Sequence, residues 1–574
     1  MLLASSRSRR SPPSRGVIIA TLVAAVVVAG AAYLLLSGSR PAAEVRAEAF
    51  AADWARGDYP AMHALLSDEA RRRTPLPRFI AAYRETAAVA TTTSLRAGKA
   101  SKLVDGVVRV PMTIRTRVFG LVRTSLRLPF AGKDDAARID WSRALTFPGV
   151  RRGETLVRHM QLAPRADILA RDGTPLAQGV ERSSPLDVAS SIVGELGPAP
   201  AERLAKLREL GYPDDAHVGI SGLERVFDER LAGTPGGVLR AGDRTLASSI
   251  ARPGRAVRTS IDPDVQRAAV EAKGARLGGV AVVRPRTGEI LALSGVAFSG
   301  LQPPGSTFKI ITLTGVLQAR LAGPNSVYPV ETKTTIEGVD LENANGESCG
   351  GSLRASFAHS CNSVFAPLGA RLGGPRLVKT AEAFGFNADL GIPGAAKSTI
   401  PQASEIGDNL AVASSAIGQG RVQATALQMA LVAATIGGRG KRPQLTLERS
   451  ARIRRTQVIP TGTARQVGRF MEAVVNEGTG TAAQISGVRV AGKTGTAELR
   501  NTKVEDCVPT PEAPDCPPPV PNDPTDTDAW FSAYAPAAAP RIAVGVLLVG
   551  AGAGGDTAAP VAKQVLVAGL KATA

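Results

Sequence analysis

The chain has 574 residues, 44% of them hydrophobic, enough for a large core and three folded domains. Its net charge of +19 comes from 55 arginines and 14 lysines spread along the whole length rather than gathered on one face. Aromatic residues at 4% leave few stacking platforms for single strands, so nucleic-acid binding is excluded, while anionic partners such as membrane surfaces stay compatible with a basic exterior.

Residues 17–36, VIIATLVAAVVVAGAAYLLL, run 20 residues without a charge, about the length that crosses a bilayer as a helix. Arg7, Arg9, Arg10 and Arg15 precede it with no acid, which predicts a cytoplasmic tail over 1–16, an anchor over 17–37 and export of the remainder. A cleaved signal peptide is the rival reading. The apolar run is long for one, and its flank SGSRPAAE has no good small-x-small site.

Residues 41–150 form the first exported unit. Phe50 with Trp54, and Phe79 with Tyr83, are i, i+4 pairs in helical runs stopped by Gly57 and by Thr91 to Thr93. The period then becomes two: Val108, Val110, Met112 and Ile114 alternate with Arg109, Pro111, Thr113 and Arg115. Leu126, Leu128 and Phe130 follow the same rule, and ARIDWS adds a short strand. Helices followed by a curved antiparallel sheet predict a small α+β domain. From 155 to 252 the pattern is mixed and turn-rich. RADILARDGTPLA reads as strand, Asp-Gly turn, strand, and PAERLAKLRELGY as an amphipathic helix closed by Gly211. The last region, 253–574, opens with a helix begun at Asp262-Pro263, followed by a hairpin over GGVAVVRPRTGEILALSG. The acidic, proline-rich stretch 505–528 must be a loop.

Three motifs in this region fail in their context. GVRVAGKT (487–494) fits the phosphate-loop pattern, but Val488, Arg489, Val490 and Ala491 alternate as a strand and no helix follows. GAGAGG (550–555) fits a dinucleotide fingerprint, yet only 19 residues remain after it. It reads as a glycine turn into a C-terminal helix at 557–572. GESCG around Ser348 would need an acid and then a histidine, and the last histidine is His359, with no carboxylate between. The four cysteines lack Cys-x-x-Cys spacing, so no metal site is expected. In an exported chain, Cys349–Cys361 and Cys507–Cys516 are the natural local disulfides.

A second reading of the glycine-rich stretch survives. Lys493, Thr494 and Gly495 spell K-T-G, which demands an upstream Ser-x-x-Lys and a Ser-x-Asn between. PPGSTFK supplies Ser306 and Lys309, with the serine opening a helix and the lysine one turn on. HSCNS supplies Ser360 and Asn362 in order. By themselves Ser306 and Lys309 would be an ordinary helix cap with a snorkelling lysine; the ordered set of three overturns that. The chain resembles a class B penicillin-binding protein, a peptidoglycan D,D-transpeptidase, over about 155–574. SAIGQGRVQATALQMA is similar to the family's G-Q-G helix start, with Ala426 where proline is usual. DAWFSAYAP resembles the strand after K-T-G. RADILARDGTPLA and GISGLERVFDERLAGTPGG are similar to the family's pedestal, with Ala166 in place of a glycine.

That resemblance implies a multidomain α+β protein with no cofactor. It has a membrane-anchor helix and a cone-shaped nuclear-transport-factor-like domain (41–150), as in methicillin-resistance-type members. A pedestal or dimerisation domain (155–252) follows, then a β-lactamase-like transpeptidase domain (253–574) whose five-stranded antiparallel sheet is flanked by helices. It implies Ser306 as nucleophile, activated by a neutral Lys309 beside Lys493, with Ser360 relaying a proton and Asn362 orienting the substrate amide. Ser306 and Thr496 would offer backbone N–H groups to the oxyanion, Lys493, Thr494 and Thr496 would hold the substrate carboxylate, and Gly495 would leave room for its backbone. The implied ligands are stem peptides and β-lactam antibiotics. The implied partners are a separate glycosyltransferase and division or elongation proteins, and the location is the cell membrane with the catalytic domain outside. A D,D-carboxypeptidase, a β-lactamase-type hydrolase and a non-catalytic β-lactam sensor are the alternatives.

Overall fold

The computed structural model describes residues 40–449, 451–498 and 526–573. The apolar run 17–36, the expected Cys507–Cys516 pair and residues 505–525 of the acidic loop lie outside them. Among the described residues no helix is long and apolar enough to cross a membrane. The chain divides into two compact units. Among the described residues, one comprises 40–161, 205–213 and 235–251; the other comprises 162–204, 214–234, 252–449, 451–498 and 526–573. The stretch 155–252 contributes residues to both units. Its strands Leu156–Gln161, Gly236–Ala241 and Arg244–Ser249 pair in a sheet of their own, and Leu156, Leu239 and Ala241 are buried in the first unit's core.

In the first unit, α1 (Ala42–Arg56) and α2 (Leu76–Val89) carry the two aromatic pairs, all four rings buried. Gly57 ends α1 at φ 75°, a left-handed conformation that costs glycine nothing. Trp54 and Tyr83 pack edge to face at 5.1 Å, and Trp141 Nε1 donates to the Tyr83 hydroxyl at 3.1 Å. The helices cover one face of a four-stranded antiparallel sheet: β1 (Thr92–Ala97), β2 (Val107–Thr116), β3 (Leu121–Ala131) and β4 (Arg138–Ile139). The period-two pattern holds: Val108, Val110, Met112, Ile114, Leu126 and Leu128 point into the core, and the residues between them face out.

The second unit is built on a five-stranded antiparallel sheet. Its strands are β5 (Gly278–Val283), β6 (Ile290–Gly295), β7 (Ala491–Glu498), β8 (Thr527–Ala535) and β9 (Ile542–Leu548), in the order β6-β5-β9-β8-β7. K-T-G therefore lies on an edge strand. Both faces are covered. Val280, Val282, Val544 and Val546 pack on α3 (Pro263–Lys273) and the C-terminal α7 (Ala558–Ala572), through Val265, Ala269, Val561 and Val565. On the other side Ala281, Val283, Ala543 and Leu547 meet a core that includes α6 (Ala426–Gly437), every residue of which is buried. Burial on both faces is why these strands read as continuous apolar runs. Asp262 caps α3 by accepting from the N–H groups of Asp264 and Val265, as Asp-Pro at the helix start predicts.

One expected element is corrected. The alternation of Val488 to Ala491 is not a strand. β7 begins only at Ala491, and Gly487 turns the chain at φ 72° between a bridge of Ile485 and Val488.

Candidate active site

Ser306 lies in a short 3₁₀ turn, Gly305–Phe308, which runs into α4 (Lys309–Gln318). Gly305 takes φ 52° and donates its N–H to Gly418 O at 3.0 Å. A Cβ there would lie 2.5 Å from Thr496 O, so only glycine lets the serine turn lie against β7. This links the G-Q-G segment (418–420) to the site: it braces the serine turn, while α6 starts only at Ala426, capped by Thr425.

Lys309 is fully buried. Its Nζ donates to Ser360 O at 2.5 Å and to Asn362 Oδ1 at 2.6 Å, with Ser360 Oγ at 3.3 Å; it makes no hydrogen bond to Ser306. The one-turn spacing thus aims the amine at the Ser-x-Asn motif rather than at the serine hydroxyl. Burial, and secondly the charge of Lys493, holds the Lys309 amine well below the usual lysine range. A neutral amine has two N–H groups, which the two carbonyl oxygens take. Its lone pair is then left for a hydroxyl proton.

Lys493, also fully buried, donates to Ser360 Oγ at 2.9 Å and to Thr494 O at 3.0 Å. Burial brings it down to about 7. The Ser360 hydroxyl thus bridges the two lysines, in a left-handed backbone at φ 64° that a serine rarely adopts. Cys361, the middle residue of the motif, forms a disulfide with Cys349 across a Cα separation of 5.7 Å. That closure of a 12-residue separation is worth about 3 kcal/mol on the chain-entropy account.

The remaining expected residues are held by contacts within the protein. Asn362 opens α5 (Asn362–Leu372), and both ends of its amide are taken, Oδ1 by Lys309 and Nδ2 by Glu342 O at 2.7 Å. It fixes the lysine. Thr494 shares a 2.5 Å hydrogen bond with Thr479, and Thr496 Oγ1 accepts from Gly554 N at 3.4 Å. A Cβ on Gly495 would meet Pro304 O at 2.8 Å and Trp530 Cβ at 2.9 Å. The missing side chain makes room for the serine turn and the neighbouring strand. The Gly-rich turn 550–555, with no motif role in sequence, lies on β7: a Cβ on Gly554 would stand 2.3 Å from both Gly495 O and Trp530 O.

Asp528 anchors that turn. Its side chain is buried, Oδ1 accepts from Gly550 N at 3.0 Å, and Oδ2 has no partner among the described residues. Burial raises its carboxyl to about 6. Between its ordinary 3.8 and about 6 the folded state holds the proton more tightly than the unfolded chain, so this group takes stability away as pH rises through that window. Asp528→Asn should raise stability at pH 7 by about 1 kcal/mol, less than the full shift because the new amide buries an N–H group with no acceptor at Oδ2's place. The gain should vanish below about pH 4. Thermal melts of both proteins across pH 4 to 8 check this; a gain independent of pH would refute it.

The family model for the penicillin-binding protein transpeptidase domain matches residues 278–567, just over half of the chain. The chain belongs to the penicillin-binding protein transpeptidase family. A second model, the penicillin-binding protein dimerisation domain, matches 178–246. The peptidoglycan D,D-transpeptidase PbpA of Mycolicibacterium smegmatis is 31% identical over 418 residues, 61% of this chain and 80% of that protein. Among solved structures, the D,D-transpeptidase domain of a peptidoglycan glycosyltransferase from Eggerthella lenta aligns with a TM-score of 0.57 at 27% identity, covering 71% of this chain and 99% of that one. The ceftriaxone acyl-enzyme complex of penicillin-binding protein A from M. tuberculosis gives 0.55 at 26%, covering 71% and 98%. As a family member the chain carries its three motifs on the serine turn, the loop before α5 and the edge strand β7.

Proposed function

We propose that the protein is a class B penicillin-binding protein that cross-links peptidoglycan stem peptides as a serine D,D-transpeptidase and is acylated by β-lactams. The observation that carries the reading is the pair of buried lysines joined through one serine hydroxyl, next to the Ser306 turn. Ser306 Oγ attacks the carbonyl between two terminal D-alanines and gives its proton to the lone pair held on Lys309, directly or through Ser360. The carbon–nitrogen bond breaks, and the proton passes through Ser360 to the departing D-alanine amine. An amine of a second stem peptide then attacks the ester; as the ester carbon–oxygen bond breaks, the proton that this amine loses passes through the lysine and Ser360 network to Ser306 Oγ. The contact of Gly305 with Thr496 sets the backbones of Ser306 and Thr496 side by side, which supports their N–H groups as the oxyanion donors. Lys493 and Thr494 offer the cation and hydroxyl for the substrate carboxylate. The outer edge of β7 suits an extended peptide.

The relatives' names support the same chemistry, and the PbpA likeness supports peptidoglycan as the substrate. The arginine-flanked apolar run 17–36 supports a single-pass anchor with the catalytic unit outside the cell membrane. A separate glycosyltransferase and division or elongation proteins complete the reading as partners. The 41–150 region is the nuclear-transport-factor-like spacer. The test is to give the full chain a donor stem peptide and an acceptor amine and to weigh the products. A cross-linked product in excess over the hydrolysed one is the expected result. Hydrolysis alone would make the protein a carboxypeptidase, and neither product, with stable β-lactam adduct, would make it a sensor.

A further inference from the structure

The outward face of the first unit's sheet is cationic. Arg96, Arg109, Arg115, Arg123 and Arg127 are all exposed there, and none forms an ion pair among the described residues. Arg109 stands directly opposite Arg127, while Arg96 and Arg123 flank Thr113 from either side. Like charges paired across strands weaken a sheet, so stability alone does not explain the arrangement. The outward positions of β1 to β3 carry no acid; Asp105 lies in the turn before β2.

The same end of the sheet is tied to the start of the unit. Glu44 and Glu48, in the first turns of α1, accept from the N–H groups of Leu103 and Ala100 at 3.3 and 2.9 Å. Ser101 in turn exchanges bonds with Arg109, N–H to O at 2.8 Å and Oγ from N–H at 3.0 Å. At this corner Leu103 and Val104 are 42% and 62% exposed, beside exposed Lys99 and Lys102. Only residues 37–41 separate the apolar run from α1, a reach of at most about 18 Å. If that run spans a bilayer, as read above, this corner stands at the headgroups.

We infer that the arginine face and the Leu103–Val104 tip of the first unit dock on the anionic phospholipid surface next to the anchor. Phosphate headgroups answer the unpaired arginines, and the two apolar side chains enter the headgroup layer. The face would thereby fix how the first unit stands on the membrane.

The test uses the full chain in lipid nanodiscs of phosphatidylcholine, with or without phosphatidylglycerol. Phenylglyoxal modification of the five arginines should slow about fivefold in the anionic discs and recover in high salt. Exposed Arg320 and Arg376, in the other unit, should react equally in both. Amide exchange over 99–108 should slow in anionic discs, and this should be lost when all five arginines become glutamine. Unchanged amide protection of the buried strand Val107–Thr116 in the variant would show that its first unit is folded. Equal arginine reactivity in the two discs would overturn the inference. So would equal protection by soluble polyphosphate in phosphatidylcholine discs, which would assign the face to a free polyanion. A chain not retained by any disc would instead refute the anchor, and this orientation with it.

Discussion

Replacing Ser306 by alanine should abolish covalent β-lactam labelling and leave the fold intact. The hydroxyl sits on a turn held by backbone contacts, Gly305 to Gly418 and the close approach to Thr496 O, and it makes no hydrogen bond of its own to the network around it. Its removal therefore costs the core nothing, and the melting temperature should stay within a degree or two of the parent on the general experience that partly exposed sites move stability by less than about 0.5 kcal/mol. Intact-mass measurement after incubation with penicillin should show one adduct on the parent and none on the variant. A full adduct on the alanine variant would mean that another residue is the nucleophile, and the serine turn would have to be read as structure only.

Lys309→Met should lower the acylation rate about a thousandfold, the range of a lost general base. Its amine is the group facing both Ser360 and Asn362, whereas the network's other amine, Lys493, is spent on Ser360 Oγ and Thr494 O. The stability effect has the opposite leaning. Burial depresses the folded lysine, so below its ordinary value of 10.5 the unfolded chain binds a proton that the folded one resists. The parent thus gains stability as pH rises toward 10.5, whereas the methionine variant has no such gain at this site. Stopped-flow acylation, with melts at pH 6 and pH 9, separates the two effects. Retained acylation, or a melting difference that does not change with pH, would remove Lys309 from the role.

Sequence carried most of this site because the chemistry is local in the chain. Ser306 and Lys309 share one turn, Ser360 and Asn362 one loop, and Lys493 to Gly495 one strand, so each motif names itself. The hairpin of β5 and β6 was legible in GGVAVVRPRTGEILALSG, and the five-stranded sheet flanked by helices came with the family resemblance. What stayed hidden depended on three-dimensional closeness. That Lys309 turns to the Ser-x-Asn motif and away from Ser306 depends on where Ser360 O and Asn362 Oδ1 stand, 51 and 53 residues away. That Gly495 and Gly554 serve each other across the edge strand needs the return of the chain after β9. Asp528 looked like one more acid of the proline-rich loop, and its burial under Gly550 shows only in the fold. The division of 155–252 between two units was equally unreadable, since strands that pair with one another carry no mark of which core they complete.

Ser360 holds the bridge between the lysines in a conformation that costs a serine about 1 kcal/mol more than a glycine. Heat resistance and catalysis therefore pull this codon in opposite directions. A lineage screened only for survival of the fold would drift to glycine at 360, relaxing the backbone and discarding the hydroxyl. Retention of serine there, in variants recovered from such a screen, would report that selection for wall synthesis was still acting.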